Sequence, residues 1–194
     1  HMRTRHATLP GDEIDMQYNP KIHHRYSIRL KGYNYSQEGA YFITICVQQK
    51  KCLFGTIKNA KIQLNNLGKV VAEEWRKTLD LRDYLKLDAW VVMPNHFHGI
   101  IQIEKDGSVE KESISSDKNI EKFGKPVSGS IPSIIRSFKS AVTKRFNEVR
   151  QTPGGKLWQR NYWEHVIRNE TELKHFREYI LNNPAHWKLD KLFR

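Results

Sequence analysis

The sequence predicts an α+β fold in which helices pack on a small antiparallel sheet. Three observations predict it. Apolar, β-branched runs of strand length are separated by longer segments with helical period. Their order is strand, helix, strand, strand, helix, strand. A further amphipathic helix follows the last strand. That order is a split βαβ, the ferredoxin-like arrangement, with helices on one face and the other face open to a ligand. No internal repeat interrupts it.

Residues 40–47, rich in β-branched and aromatic side chains, form the first core strand. A weaker hairpin is expected next, residues 55–57 against 60–64, turning at Lys58-Asn59. Leu67, Val70, Val71, Trp75 and Leu79 make a helical stripe over residues 66–79, with Asn65 or Asn66 as its cap. Residues 85–93 and 97–103 are strands joined by Pro94-Asn95. Residues 131–149 are a helix with Ser130 as N-cap and Pro132 in its first turn. Its polar side is basic, with Arg136, Lys139, Lys144 and Arg145. Residues 157–167 read as an aromatic-rich strand, and residues 169–182 as the final helix, stopped by Pro184. Residues 1–37 read as a basic arm, opening with a cloning scar at His1-Met2. Residues 38–194 read as the folded domain, with a charged, mobile loop at 105–130.

Composition narrows the partners. The 194 residues carry 33 Lys and Arg against 21 Asp and Glu, a net charge of +12. Such an excess fits a polyanion such as nucleic acid, bound with steep salt dependence; an acidic membrane surface is the alternative. No apolar run reaches the roughly 18 residues of a membrane span. No secretory signal is visible, so the cytoplasm, near the nucleoid, is the expected location. The two cysteines, Cys46 and Cys52, do not form a Cys-x-x-Cys pair, which leaves no support for a zinc finger or redox motif.

The most informative stretch is Trp90-Val-Val-Met-Pro-Asn-His96-Phe-His98-Gly-Ile-Ile-Gln-Ile103. On a strand, His96 and His98 point to one face and Phe97 to the other. Two converging imidazoles are half of a metal site. The alternative is a polar pair on a solvated face. The last helix reads Thr171-Glu-Leu-Lys-His-Phe-Arg-Glu-Tyr179-Ile-Leu-Asn-Asn183-Pro184. Tyr179 and Asn183 are four apart and share a face. The Asn183 amide oxygen is a donor for a hard cation, and the Tyr179 hydroxyl is a nucleophile for a phosphodiester. Read singly, each also suits an ordinary helix end and a half-buried ring.

Asn95-His-Phe-His98-Gly resembles the His-hydrophobic-His motif of the single-tyrosine HUH transposases. Leu157-Trp-Gln-Arg-Asn-Tyr-Trp-Glu-His-Val-Ile-Arg-Asn169 followed by Arg177-Glu-Tyr-Ile-Leu-Asn-Asn-Pro184 resembles the REP-associated tyrosine transposases. The resemblance runs from about Ser27 through Trp187 and includes Arg136-Ser-Phe-Lys-Ser-Ala-Val-Thr-Lys. It implies a ferredoxin-like domain acting on single-stranded or hairpin DNA. His96, His98 and Asn183 would hold Mg²⁺ or Mn²⁺. Tyr179 would be the nucleophile, with Tyr162 its rival. Transposases of the wider group often carry Gln at the position of Asn183. Trp158, Tyr162 and Trp163 are candidates to stack bases; Arg136, Lys139 and Arg160, with Gln159 between the aromatic residues, are candidates to hold the strand. The chain would act as a monomer or homodimer away from membranes. A non-catalytic hairpin-binding protein with a vestigial metal site is the alternative.

Overall fold

The computed structural model describes residues 30, 32–104 and 127–193. Most of the expected basic arm and all but the last residues of the expected mobile loop lie outside them. Elements in chain order are β1 (Gly39–Cys46), β2 (Gly55–Lys58), β3 (Lys61–Leu64), α1 (Asn66–Asp80), β4 (Leu85–Val92), β5 (His96–Ile103), α2 (Ile131–Arg150), β6 (Trp163–Ile167) and α3 (Glu170–Asn182). The main sheet runs β4-β5-β1-β6, antiparallel throughout, which is the ferredoxin-like order.

β1 explains the continuous apolar run, because both of its faces are covered. Tyr41, Ile43 and Ile45 point into the main core under α1 and α2. Phe42 points the other way, into a second cluster with Ile100, Ile167, Leu173 and Ile180. The second cluster corrects the expectation of an open face. The helices α1 and α2 do share one face, but α3 lies on the other and covers part of it.

Two caps, Asn65 and Ser130, follow the sequence signals, and Asn169, expected inside the last helix, caps it instead. Asn65 accepts from the Gly68 N–H, Ser130 from the Ser133 N–H and Asn169 from the Glu172 N–H. The small hairpin turns one residue later than expected, at Asn59-Ala60, both with positive φ. Gly99 permits a close approach: a Cβ there would sit 2.7 Å from the Trp75 ring, so only glycine lets α1 settle on the sheet beside the histidines.

Two further expectations are corrected. Only Trp163–Ile167 of residues 157–167 is a strand. Residues 157–159 are tied instead to the segment after β1, through Gln48 N–H to Leu157 O, Gln159 N–H to Cys46 O and a bridge between Val47 and Trp158. Trp158 is a core side chain, buried against Phe54 and Phe138. At 7% exposure the ring is almost wholly taken up by the core, which leaves it little surface on which to stack a base.

Candidate active site

β5 begins at His96, and the antiparallel register sets Cys46 opposite His96 and Thr44 opposite His98. Period two places both imidazoles on the α3 side and Phe97 against Trp75 and Phe138 in the main core, as the sequence implies. The two rings lie 4.5 Å apart, centre to centre, and both are buried.

Neighbouring groups fix how each ring is presented. Asn95 donates through Nδ2 to the carbonyls of Lys50 and Leu192, at 3.1 and 2.8 Å, which leaves its Oδ1 toward His96 Nδ1 at 2.7 Å. His96 Nδ1 therefore carries the proton, and Nε2 presents its lone pair. Thr44 Oγ1 engages His98 Nδ1 at 2.8 Å, which frees Nε2 to face α3. Burial holds His96 down to about 4, with Asp190 opposing the shift, and pushes His98 well below its ordinary value, with His96 adding to the effect. Both rings are neutral at pH 7, the form that ligates metals.

α3 supplies the rest. Tyr179 Oη stands 3.5 Å from His98 Nε2, in the same chain. The Tyr179 ring is 42% exposed, so one side of it is open to a substrate. Burial raises its hydroxyl's pKa, and Asp190 adds to this, while Asn183 lowers it. One turn later Asn183 is buried and donates through Nδ2 to Asp190 Oδ2 at 3.1 Å. The segment after α3 turns back so that Asp190 Oδ2 reaches 3.7 Å from His96 Nε2 and Trp187 lies beside the His96 ring. His96, His98 and Asp190 present ligand atoms within 4.8 Å of one another.

The donor set fits a divalent cation. His96 Nε2 and Asn183 Oδ1 are buried without a hydrogen-bond partner among the described residues. Such atoms are costly to bury bare, and both are lone-pair donors beside a carboxylate. Imidazole with amide and carboxylate oxygens suits Mn²⁺ and, less well, Mg²⁺. Asp190 was missed by the sequence reading, although it is the sole acidic residue after Glu178. Glu178 and His165 do not join the group; His165 Nε2 pairs with Glu172 at 2.8 Å.

The other expected residues are scattered. Trp163 is 43% exposed, across from Thr44 and edge-on to Phe42, and remains available as a stacking surface. Tyr162 packs against the main core. Gln159 braces the end of β1, with Nε2 donating to Val47 O at 3.3 Å. Arg136 and Arg160 are exposed. The Lys139 ammonium, pushed down to about 8 by burial, donates to the Gln159 and Arg160 carbonyls at 2.7 and 3.1 Å.

Comparison with known proteins gives three relationships. An uncharacterized protein of Haemophilus influenzae is 43% identical over 180 residues, covering 91% of this chain and 97% of the relative. A second Haemophilus influenzae protein, provisionally named a REP-associated tyrosine transposase, is 22% identical over 152 residues, 78% of this chain and 73% of that one. A solved structure of a REP-associated tyrosine transposase bound to a REP hairpin is similar over 86% of this chain and 74% of that chain, with 22% identity and a TM-score of 0.47. No family model matches the chain.

Proposed function

From the premise that this chain belongs to one family with the 43% identical Haemophilus protein and is related to the REP-associated tyrosine transposases, we propose that it cleaves and rejoins single-stranded DNA at a hairpin. The observation that carries this reading is the position of Tyr179 Oη, 3.5 Å from His98 Nε2, beside the partnerless donor atoms of His96 and Asn183.

His96, His98, Asn183 and Asp190 are the residues to hold Mn²⁺ or Mg²⁺. A bound cation would neutralise charge on a non-bridging phosphate oxygen. The protein's own groups do the rest. Asn95 and Thr44 hold the two imidazoles in orientation. The phosphodiester enters on the exposed side of Tyr179. The tyrosine oxygen gives up its proton to solvent and bonds to phosphorus; the P–O3′ bond breaks, and the 3′-oxygen takes up a proton from solvent. The products are a 5′-phosphotyrosine and a free 3′-hydroxyl. The same hydroxyl, or one from another strand, reverses the step, so no nucleotide cofactor is consumed. Trp163 offers a stacking surface for a base beside the cleaved bond, and Arg136 and Arg160 are free to meet phosphates. That one chain brings both histidines and the tyrosine together supports a monomer as the working unit, with a homodimer as the other arrangement. Among the described residues no helix is long and apolar enough to cross a membrane.

The test is a denaturing gel of protein incubated with a 3′-labelled hairpin oligonucleotide and Mn²⁺. Wild-type protein should take up the label covalently. Tyr179→Phe should lose the adduct entirely while keeping hairpin affinity, because only the attacking oxygen is removed. Hairpin binding without an adduct in the wild type would make the protein a non-catalytic binder. An adduct that survives Tyr179→Phe would move the nucleophile to another residue.

A further inference from the structure

Beyond the catalytic group lies a basic groove between α2 and the segment that leads into β6. It is a shallow, open trough of about 530 Å³, lined by Lys139, Lys144, Lys156 and Arg160 with Thr143 and Asn147 between them; no acidic residue lines it. Lys144, Lys156 and Arg160 are exposed and have no carboxylate partner among the described residues. Arg145, next to Lys144 on α2, is neutralised by Glu73 and Glu74. The contrast matters, because a paired cation has little left to offer an anion, whereas three unpaired cations along one trough repel one another until an anion enters.

The walls of the groove are fixed at both ends. Asn147 Nδ2 donates to Gly155 O at 3.0 Å, and Lys139 Nζ donates to the carbonyls of Gln159 and Arg160. A trough whose walls are already bolted together needs little ordering when a ligand arrives. From Lys139 to Asn147 is about 12 Å of helix, or about three nucleotides along one strand of a duplex. The inner end of the groove touches the catalytic sheet. Gln159 N–H donates to Cys46 O, and Cys46 is directly opposite His96.

We infer that this groove grips the sugar-phosphate backbone of the DNA hairpin beside the cleavage point, so that the strand leaving it at Gln159 is delivered to the histidines. The inference rests on the proposed strand-transfer reading. Lys144 and Lys156, both lining the trough, serve as phosphate contacts, Arg160 holds the exit, and Lys139 is a positioning residue, its ammonium tied to the Gln159 and Arg160 carbonyls. The contacts are to phosphate, so they set register and affinity without reading sequence.

Fluorescence anisotropy with a labelled DNA hairpin carrying a single-stranded tail tests this on the full chain. The variant is Lys144→Gln/Lys156→Gln/Arg160→Gln. The control, Lys58→Gln/Lys61→Gln/Lys69→Gln, removes the same charge around the β2–β3 hairpin. The groove variant should bind about 100-fold more weakly, and its log-log salt slope should flatten by about 2 to 3. Its thermal midpoint and Mn²⁺ affinity should match the wild type, since all three side chains are exposed. The control should lose less than about threefold. Wild-type affinity in the groove variant, or equal loss in the control, overturns the groove while leaving the catalytic reading intact. Absence of hairpin binding by the wild-type protein overturns the catalytic reading and the groove with it.

Discussion

Asp88 sits in a β-bulge, where Asp88 and Ala89 together oppose Ile100 between the pairs Leu87–Ile101 and Trp90–Gly99. The bulge aims the Asp88 carboxylate at α3. Arg177 grips it through Nε at 2.9 and 3.1 Å and Nη2 at 2.6 Å; Gln102 adds a bond at 2.8 Å. The Arg177 bonds hold the Asp88 carboxyl below the usual carboxylate range. Arg177 is two residues from Tyr179, so this pair sets how the tyrosine helix lies on the sheet. We predict that Asp88→Asn slows adduct formation without releasing the helix. A charge-assisted bond contributes about 1.5–3 kcal/mol when sheltered. The Arg177 side chain is 41% exposed and Asp88 15%, so solvent reduces this to about 1–2 kcal/mol. Leu173 and Ile180 remain buried and contribute about 1.5–3 kcal/mol each, which is enough to keep α3 docked. A loss of about 1.4 kcal/mol of orientation is a factor of about ten in rate. The assay is single-turnover adduct formation at saturating hairpin and Mn²⁺, well below the thermal midpoint. Rate should fall about tenfold while hairpin and Mn²⁺ affinities hold, and Arg177→Lys, which loses the fork but keeps the charge, should fall between. A lower thermal midpoint with an unchanged adduct rate would reduce the pair to a stabilising contact and refute the positioning argument.

Three further outcomes follow from the site. His98→Ala should weaken Mn²⁺ binding by at least about tenfold in calorimetric titration, through a lost ligand rather than a lost fold; wild-type Mn²⁺ affinity would remove the imidazole from the site. Asn183→Ala should lower cleavage in Mg²⁺ and recover part of it at high Mn²⁺, which tolerates imidazole ligands better; normal cleavage at low Mg²⁺ would make Asn183 only a helix-end residue and leave Asp190 as the oxygen ligand. Metal-free protein should lose stability on acidification. The His96 pKa is about 4 when folded against 6.5 for an unperturbed ring, so the unfolded chain binds the proton first and stability falls as pH drops through that window. His96 alone should cost about 2 kcal/mol between neutral pH and about pH 5, and urea midpoints that do not move across that range would contradict the buried, neutral assignment.

Much of this site is local in the sequence. The period of two in β5 by itself puts His96 and His98 on one face and Phe97 on the other, and the spacing of four in α3 puts Tyr179 and Asn183 on one side of a helix. The caps Asn65, Ser130 and Asn169 and the element order needed no long-range information either, because each depends on groups within one turn of chain. What periodicity cannot encode is which face meets which. That Tyr179 stands over His98 of its own chain depends on the Asp88 bulge and on α3 covering the Phe42 face. That Trp158 is core, and not a surface for bases, depends on residues 157–159 being tied to the end of β1. Asp190 and Asn95 acquire their roles from the segment after α3 folding back onto β5, a contact spanning 97 positions between Asn95 and Leu192. Local spacing fixes the direction of a side chain; only the packing of irregular segments against the sheet decides what that side chain meets.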